Sequence, residues 1–214
     1  MAEVLEKAQK LYNDGKWQES DELIDEILPG LKIKEEIAEA FRLKGWNRYY
    51  LGIKGPAEQK EKNLQMSEGA YQEAIAKTTD KKKRISIFNG LPLTIWILGK
   101  QEEAWQVSDQ AIEEFPDEPS VWNTRSILFR WAKDFKGSVE ICEKVCEKAL
   151  VKDDYRTVGN SKQNKADALK ELGRIKEARD EYAAAIGFYK KFEKATRQSA
   201  KFHIEGVEKK LANL

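Results

Sequence analysis

The fold is decided by a short stretch that occurs twice with a similar order of residue types: Leu98-Gly99-Lys100-Gln101-Glu102-Glu103-Ala104 and Leu172-Gly173-Arg174-Ile175-Lys176-Glu177-Ala178. In both copies a glycine after an apolar residue is typical of a helix end, and the charged residues that follow are typical of a new helix. Related stretches occur at 13–20 and 132–138. Each of the four predicts a tight turn that closes a helical hairpin.

The residues after each turn have the spacing of one buried helical face. Starting from a small residue, the core positions recur at steps of three and four: Ser20, Ile24 and Ile27; Ala104, Ser108 and Ala111; Ser138, Cys142 and Val145; Ala178, Tyr182 and Ala185. A fifth copy fits when Ser67, Tyr71, Ala74 and Ile75 are aligned with them. The pattern predicts five second helices, each with a small residue where it crosses the helix before it.

The first helix of each pair is marked by a residue upstream of that crossing. Sixteen residues before four of the small residues are Val4, Phe88, Trp122 and Lys162. In the remaining copy Phe41 lies 26 residues before Ser67, so ten residues are added in a segment, 51–60, that contains two glycines and a proline. Two alternatives remain open, a loop inserted on a functional face or two longer helices.

These segments resemble tetratricopeptide repeats, which have a period of 34 residues and the pattern W-x2-L-G-x2-Y, A-x3-F, P. The best copies are Trp122-x2-Arg125-Ser126-x2-Phe129 with Ser138-x3-Cys142, and Phe88-x2-Leu91-Pro92-x2-Ile95 with Ala104-x3-Ser108 and Pro116. The resemblance implies an all-α solenoid of about five antiparallel helix pairs in a single domain, 1–214. The repeats are placed at approximately 1–34, 35–80, 81–118, 119–153 and 154–187.

The segment after the fifth repeat carries an amphipathic stripe, with Phe188, Phe192, Ala195, Ser199 and Phe202 at steps of three and four. The last hairpin of a solenoid leaves one apolar face uncovered and needs a cap. We therefore predict a capping helix over 188–214, either separate from the helix before it or continuous with it.

The resemblance also implies a function, because first helices in this family line a groove that holds an extended peptide or a helix of a partner protein. The predicted groove residues are Arg42, Trp46, Tyr49, Tyr50, Asn89, Leu93, Trp96, Asn123, Ile127, Arg130 and Trp131. Aromatic and Arg side chains carry much of the energy of protein interfaces, and Asn pairs with peptide groups. For the three tryptophans, packing against a neighbouring helix remains an equal alternative.

Composition limits the classes of partner. Lys and Arg number 38 and Asp and Glu 37, for a formal net charge of +1, and the two signs alternate along most of the chain. Neither nucleic acid nor a membrane is therefore expected as a partner. No apolar run approaches about 18 residues and no signal-like start is present, so we expect a cytoplasmic protein.

Residues for catalysis are scarce. The chain has one histidine, His203, and two cysteines, Cys142 and Cys146, whose spacing puts both on one helical face where they are expected to pack as small apolar groups. No phosphate-binding loop, dinucleotide fingerprint or zinc motif is present. We expect no enzyme activity, cofactor or metal. The alternative to a binding scaffold is a self-assembling structural protein whose terminal helices form homo-oligomers.

Overall fold

The computed structural model describes residues 2–214, and over this range the protein is helical and contains no β-strand. The helices are α1 (Ala2–Asn13), α2 (Trp17–Ile27), α3 (Lys34–Lys54), α4 (Lys60–Lys77), α5 (Lys81–Ile97), α6 (Gln101–Glu114), α7 (Pro119–Trp131), α8 (Phe135–Val151), α9 (Tyr155–Glu171), α10 (Ile175–Thr196) and α11 (Lys201–Ala212). Short 3-10 turns, Leu28–Gly30 and Ala57–Gln59, precede α3 and α4. The prediction of an all-α protein is confirmed.

Contacts divide the chain into two compact units, unit 1 (Met1–Glu113) and unit 2 (Glu114–Leu214). Within unit 1, α1 packs on α2 and α3 on α4, and Ala104 of α6 lies in one apolar cluster with Leu91 and Ile95 of α5. Within unit 2, α7 packs on α8 and α9 on α10. Each unit is thus built from neighbouring helix pairs joined by short turns.

The predicted core of the second helices is observed. All five small residues at the crossings are fully buried: Ser20, Ser67, Ala104, Ser138 and Ala178. The apolar positions that follow them are buried as well, except Ile27 and Ile75, which are half-buried. Helical periodicity therefore located the buried face of every second helix correctly.

Four predicted turns share one backbone conformation. A positive φ occurs at three glycines, Gly15 (76°), Gly99 (85°) and Gly173 (73°), which adopt this left-handed geometry without a side-chain clash. In the fourth turn Lys133 takes the same geometry at 64°. Asp153 repeats it at 53° between α8 and α9, so the joint between two pairs uses the same turn as the joint within a pair.

Serine side chains fix the register of three pairs. Ser20 Oγ donates to the carbonyl of Ala8 at 2.9 Å and Ser138 Oγ to that of Ser126 at 2.9 Å, each across twelve residues. Ser67 Oγ donates to the carbonyl of Gly45 at 2.7 Å across 22 residues. The second pair therefore makes the same contact with ten residues added between its partners.

Those ten residues lengthen helices. α3 has 21 residues and α4 has 18, and they are separated by only Gly55 to Gln59, a segment that includes a 3-10 turn. Gly55 N caps the end of α3 by donating to the carbonyl of Leu51 at 3.0 Å. Of the two alternatives for this segment, the longer helices are the one observed.

Helix α5 begins where predicted. Asp80 Oδ1 accepts a hydrogen bond from the amide of Lys83 at 2.9 Å and caps the first turn. Lys83 Nζ also pairs with Glu35 of α3 at 2.7 Å. The helix continues through Pro92 to Ile97. The basic run at 81–84 is therefore part of a capped helix start, and one of its lysines holds α3.

The C-terminal boundary differs from the prediction. Residues 188–196 continue α10, which ends at Arg197 in a left-handed conformation (φ 58°), and α11 is a separate helix. The start of the capping helix at residue 188 is therefore corrected to Lys201. Val207, Ile204 and Leu211 of α11 pack into one cluster with Tyr182 and Tyr189 of α10.

We expect Ala104→Leu to lower the free energy of unfolding by about 1–3 kcal/mol, because extra methylenes at a tight helix crossing force the backbones apart. Ala104 is fully buried between α5 and α6. The measurement is urea unfolding, with Gln110→Leu on the exposed side of α6 as control. Equal stability of both variants would show that the crossing of α5 and α6 can accommodate a leucine side chain.

Candidate functional site

The first helices form a layer within each unit, called here the first-helix layer. In unit 1, α3 packs against both α1 and α5, and in unit 2, α7 packs against α9. All predicted groove residues lie on α3, α5 and α7. Because neighbouring first helices touch, a side chain on this layer faces either solvent or the helix beside it.

Arg42 is engaged within the protein. Its guanidinium donates to Glu39 at 2.6 and 2.8 Å, to Gln9 of α1 at 2.7 Å and to Ser86 of α5 at 3.0 Å. Burial disfavours its charge, but the hydrogen bonds and charge of Glu39 outweigh burial and raise the pKa of Arg42. Arg42 therefore ties three first helices together and has little capacity left for a partner.

Tyr50 is the centre of an aromatic cluster at one end of α3. Its ring stacks on Trp17 with centroids 4.8 Å apart, and the rings of Tyr12 and Trp46 each lie 6.0 Å away. Trp46 Nε1 donates to Ser86 Oγ at 3.1 Å. These four rings are half-buried, so each combines internal packing with an accessible edge or face.

On α5 the predicted residues differ in exposure. Leu93 is 6% exposed and offers a partner almost no surface, whereas Asn89 and Trp96 are half-buried. Trp96 packs edge-on against Trp105 of α6 with centroids 5.7 Å apart. Tyr49 on α3 is 7% exposed, as little as Leu93. Two predicted groove residues of unit 1 are therefore core residues.

In unit 2, Asn123 is held by the next first helix. Its Oδ1 accepts from Asn164 Nδ2 of α9 at 3.1 Å, and the residue is 8% exposed. Ile127 and Trp131 on the same side of α7 are half-buried. The amide pair fixes α7 against α9 at one end of their contact.

Arg130 lies two turns further along α7 and faces Asp167 of α9, with Nη2 3.7 Å from Oδ2. Asp167 also accepts from Lys210 Nζ of α11 at 2.7 and 2.8 Å and from the hydroxyl of Tyr182. Burial, together with the hydrogen bond to Asp167, raises the pKa of Tyr182, so its hydroxyl remains a donor. Four helices therefore meet at one carboxylate.

The Nε atom of Arg130 is buried and has no hydrogen-bond partner in residues 2–214. A buried donor without an acceptor costs about 1–3 kcal/mol relative to a satisfied one. Its guanidinium is already oriented by Asp167, and the side chain is 24% exposed. Nε itself is out of reach of a partner, so only the exposed part of the Arg130 side chain is open to one.

Several contact residues were not among the predicted groove set. Ser86 lies three residues before Asn89, on the same helical side, and it accepts from α3. Asn164 and Asp167 lie on α9, and Trp17 lies on a second helix. The helical period could have flagged Ser86, but no sequence signal pairs α7 with α9 by residue.

Residues 2–214 contain no group of three or more His, Cys, Asp or Glu side chains arranged to hold a metal ion. Cys142 and Cys146 are buried, and burial raises the pKa of the Cys142 thiol to about 11. Both thiols are therefore protonated and unreactive at neutral pH. Over the same residues, no helix has the length and apolar character needed to span a bilayer.

Comparisons with known proteins leave the family open. No protein-family model matches the chain, and no curated protein is significantly similar to it.

Proposed function

We propose that this protein is a non-catalytic adaptor or scaffold of tetratricopeptide-like helix pairs that binds an extended segment of a partner protein along a first-helix layer. The recurring crossing residues, the repeated serine contacts and the stacking of first helices against one another support this proposal. Solenoid repeats present layers of this kind as binding surfaces.

The observation that carries the proposal is the partly exposed Arg130 on α7, whose side chain is 24% exposed and lies near Asp167. A backbone carbonyl or carboxylate of a bound segment accepts a hydrogen bond from the exposed part of its guanidinium. Half-buried Ile127 and Trp131 beside it provide apolar contact area. A peptide seated there gains a charge-assisted hydrogen bond and apolar burial together, which is the combination found at interface hot spots.

Replacement of Arg130 by lysine tests the proposal. Arg130→Lys keeps a positive charge near Asp167 but removes the planar guanidinium with its several donors, so we expect a captured partner to bind about tenfold more weakly. The partner is obtained by affinity capture with the parent protein, and its affinity is then measured by calorimetry with each purified variant.

The control is Lys144→Ala on the exposed side of α8, which should leave affinity unchanged. Asn123 is only 8% exposed and pairs with Asn164, so Asn123→Ala should lower the melting temperature and change the affinity little. If the partner binds Arg130→Lys as tightly as the parent, the first-helix layer of unit 2 is not the binding site.

A second candidate function is self-assembly through α11. Phe202 is 49% exposed and is the one exposed aromatic side chain of residues 2–214, which favours a contact with another copy. Light scattering of the pure protein at several concentrations decides between the two functions. An oligomer that Phe202→Ala converts to a monomer supports assembly, and a monomer at every concentration excludes it.

A further inference from the structure

The one histidine of the chain lies where α11 meets the helix pair that it covers. His203, in the first turn of α11, stacks on Tyr189 of α10 with centroids 5.1 Å apart and 21° between the ring planes. Phe202 stands edge-on to the imidazole at 5.7 Å. Tyr189 is fully buried, and its hydroxyl donates to Asn160 of α9 at 2.8 Å. The imidazole is therefore part of the contact that holds α11 on α10.

A cation faces this imidazole from α9. Nη2 of Arg156 lies 3.5 Å from Nε2 of His203. A neutral ring that carries its proton on Nδ1 offers a lone pair to the guanidinium, whereas an imidazolium has donors only and places a second positive charge against it. The Arg156 guanidinium also lies 5.8 Å from the centre of the Phe192 ring. The site therefore accommodates the neutral form of His203 and disfavours the charged form.

The other charged groups near the imidazole have contacts of their own. Glu193 of α10 accepts from a backbone amide at the joint between α10 and α11, at 2.7 Å. Within α11, Lys201 pairs with Glu205 at 3.7 Å. Both carboxylates keep their negative charges, but within residues 2–214 neither forms an ion pair with the imidazole. Arg156 therefore provides the main charge that acts on the ring.

Burial and the charge of Arg156 both lower the pKa of His203, burial more strongly, from the ordinary 6.5 to about 4. The face of the Tyr189 ring attracts a cation, but this gain is small beside the cost of removing an imidazolium from water. Above about pH 6.5 the ring is neutral whether α11 is docked or released. As the pH falls from there toward about 4, the released form takes up a proton and the docked form does not, so acid shifts the equilibrium toward release.

The other end of α11 has an attachment that does not depend on the histidine. Lys210 Nζ donates to both carboxylate oxygens of Asp167 on α9, at 2.7 and 2.8 Å. Lysine and aspartate side chains ordinarily remain charged between about pH 5 and pH 7. The joint before α11, residues 197–199, is exposed and begins with Arg197 in a left-handed conformation. Mild acid therefore acts on the start of the helix, while Lys210 keeps its end in place.

We propose that α11 is an acid-sensitive cap, in which His203 takes a proton from solvent and the start of the helix leaves α9 and α10. The imidazolium is stabilised by water and does not return against Arg156 until it loses the proton. Release removes His203 and Ile204 from Tyr189, so it exposes apolar surface at the end of the last helix pair. The inference concerns the docking of α11 and does not depend on the function proposed above.

Nuclear magnetic resonance and hydrogen exchange test the cap in the full chain. Because the chain has one histidine, the imidazole Cε1–H resonance reports the protonation of His203 alone, and we expect its midpoint well below the ordinary 6.5. Between about pH 7 and pH 5, the protection of the amides at 204–208, corrected for the intrinsic pH dependence of exchange, should fall about tenfold. An equilibrium that takes up one proton shifts by at most about tenfold per pH unit. Amides of α1 and α2 should show no such change.

Three variants identify the group that responds to acid. His203→Phe keeps a ring that can stack on Tyr189 but takes up no proton, so its protection should not change over this pH range. Arg156→Gln keeps a donor near Nε2 without the charge, so it should raise the midpoint of the histidine resonance and reduce the loss of protection. The matched control, Glu205→Gln, removes an exposed titratable group from the same helix and should lose protection as the parent does.

Other results overturn the inference. A midpoint at about the ordinary pH 6.5, with α11 protected throughout, would show that the docked helix accommodates the imidazolium. An equal loss of protection in His203→Phe would assign the acid sensitivity to another group. If His203→Phe fails to dock at neutral pH, Arg156→Gln decides, because a midpoint and a loss of protection unchanged from the parent would show that the guanidinium does not act on the histidine.

Discussion

Gly90→Ala is expected to lower the free energy of unfolding by about 3 kcal/mol, at the upper end of the cost of overpacking a core. A Cβ atom at Gly90 would lie 2.5 Å from Cζ of Tyr71 and closer still to its hydroxyl oxygen, with Trp46 at 3.1 Å on another side. Tyr71 is fully buried and cannot swing away. The gain in helix propensity from Gly to Ala, about 1 kcal/mol, is smaller than this clash.

Tyr71→Phe tests whether the hydroxyl group or the ring of Tyr71 causes the clash with Gly90→Ala. The Tyr71 hydroxyl is buried without a hydrogen-bond partner in residues 2–214, and burial raises its pKa well above the ordinary value. Its removal should therefore cost less than about 1 kcal/mol. Combined with Gly90→Ala, it should recover part of the loss, because one of the clashing atoms is gone.

Gly45 gives a matched comparison, because it lies against other atoms of the same ring. A Cβ there would lie 2.5 Å from Cδ1 and Cε1 of Tyr71, both ring carbons that Phe retains. Tyr71→Phe should therefore leave the cost of Gly45→Ala unchanged. Gly69→Ala on α4, where a Cβ meets nothing within 4 Å, should stabilise by about 0.5–1 kcal/mol. Urea unfolding followed by tryptophan fluorescence measures all of these variants.

A stability of Gly90→Ala within experimental error of the parent would mean that the ring of Tyr71 is not clamped between α3 and α5. The same conclusion would follow if Tyr71→Phe rescued both glycine variants equally.

The second helices were predictable because one local rule determines them. A small residue must lie where two helices cross, and the residues at steps of three and four from it share its face. Ser20, Ser67 and Ser138 satisfy that rule and also donate to a carbonyl of the first helix. The second pair makes the identical contact despite ten added residues. This explains why Ser67 could be aligned with the small residues of the other repeats.

The first-helix layer was less predictable, because its exposure depends on neighbours that are distant in sequence. Arg42 has the position of a groove residue, yet Gln9 and Ser86 approach it from helices 33 and 44 residues away. Leu93 has the same periodicity as an accessible residue and is buried. The helical period specifies a side of α3 or α5, but only the packing of adjacent first helices decides which part of that side remains open.

The start of the capping helix was misplaced for a related reason. The predicted boundary between residues 187 and 188 lies inside α10, where the exposed Gly187 costs about 1 kcal/mol and the surrounding packing outweighs that cost. The actual end is at Arg197, a residue type with no preference for the left-handed geometry it adopts. Glu193 stabilises this joint through the amide of Ala200, a contact with no sequence signature.

Deletion of residues 198–214 is expected to lower the free energy of unfolding by about 3 kcal/mol or more, because the removal of large buried side chains costs about 2–5 kcal/mol at each core position. Without α11, the faces of Tyr182 and Tyr189 lose Ile204, Val207 and Leu211. Asp167 also loses the ammonium group of Lys210. The measurement is thermal unfolding with a dye that reports exposed apolar surface.

Two point variants make the same test without shortening the chain. Val207 is fully buried against α10, so Val207→Ala should cost about 2 kcal/mol by leaving a cavity. Phe202, on an exposed part of the same helix, is 49% accessible, and Phe202→Ala should cost much less. If the deletion and Val207→Ala both leave stability unchanged, α11 does not cap the fifth pair. The difference between the two variants matters because a merely appended helix would tolerate both equally, whereas a cap is sensitive only on the side that covers Tyr182 and Tyr189.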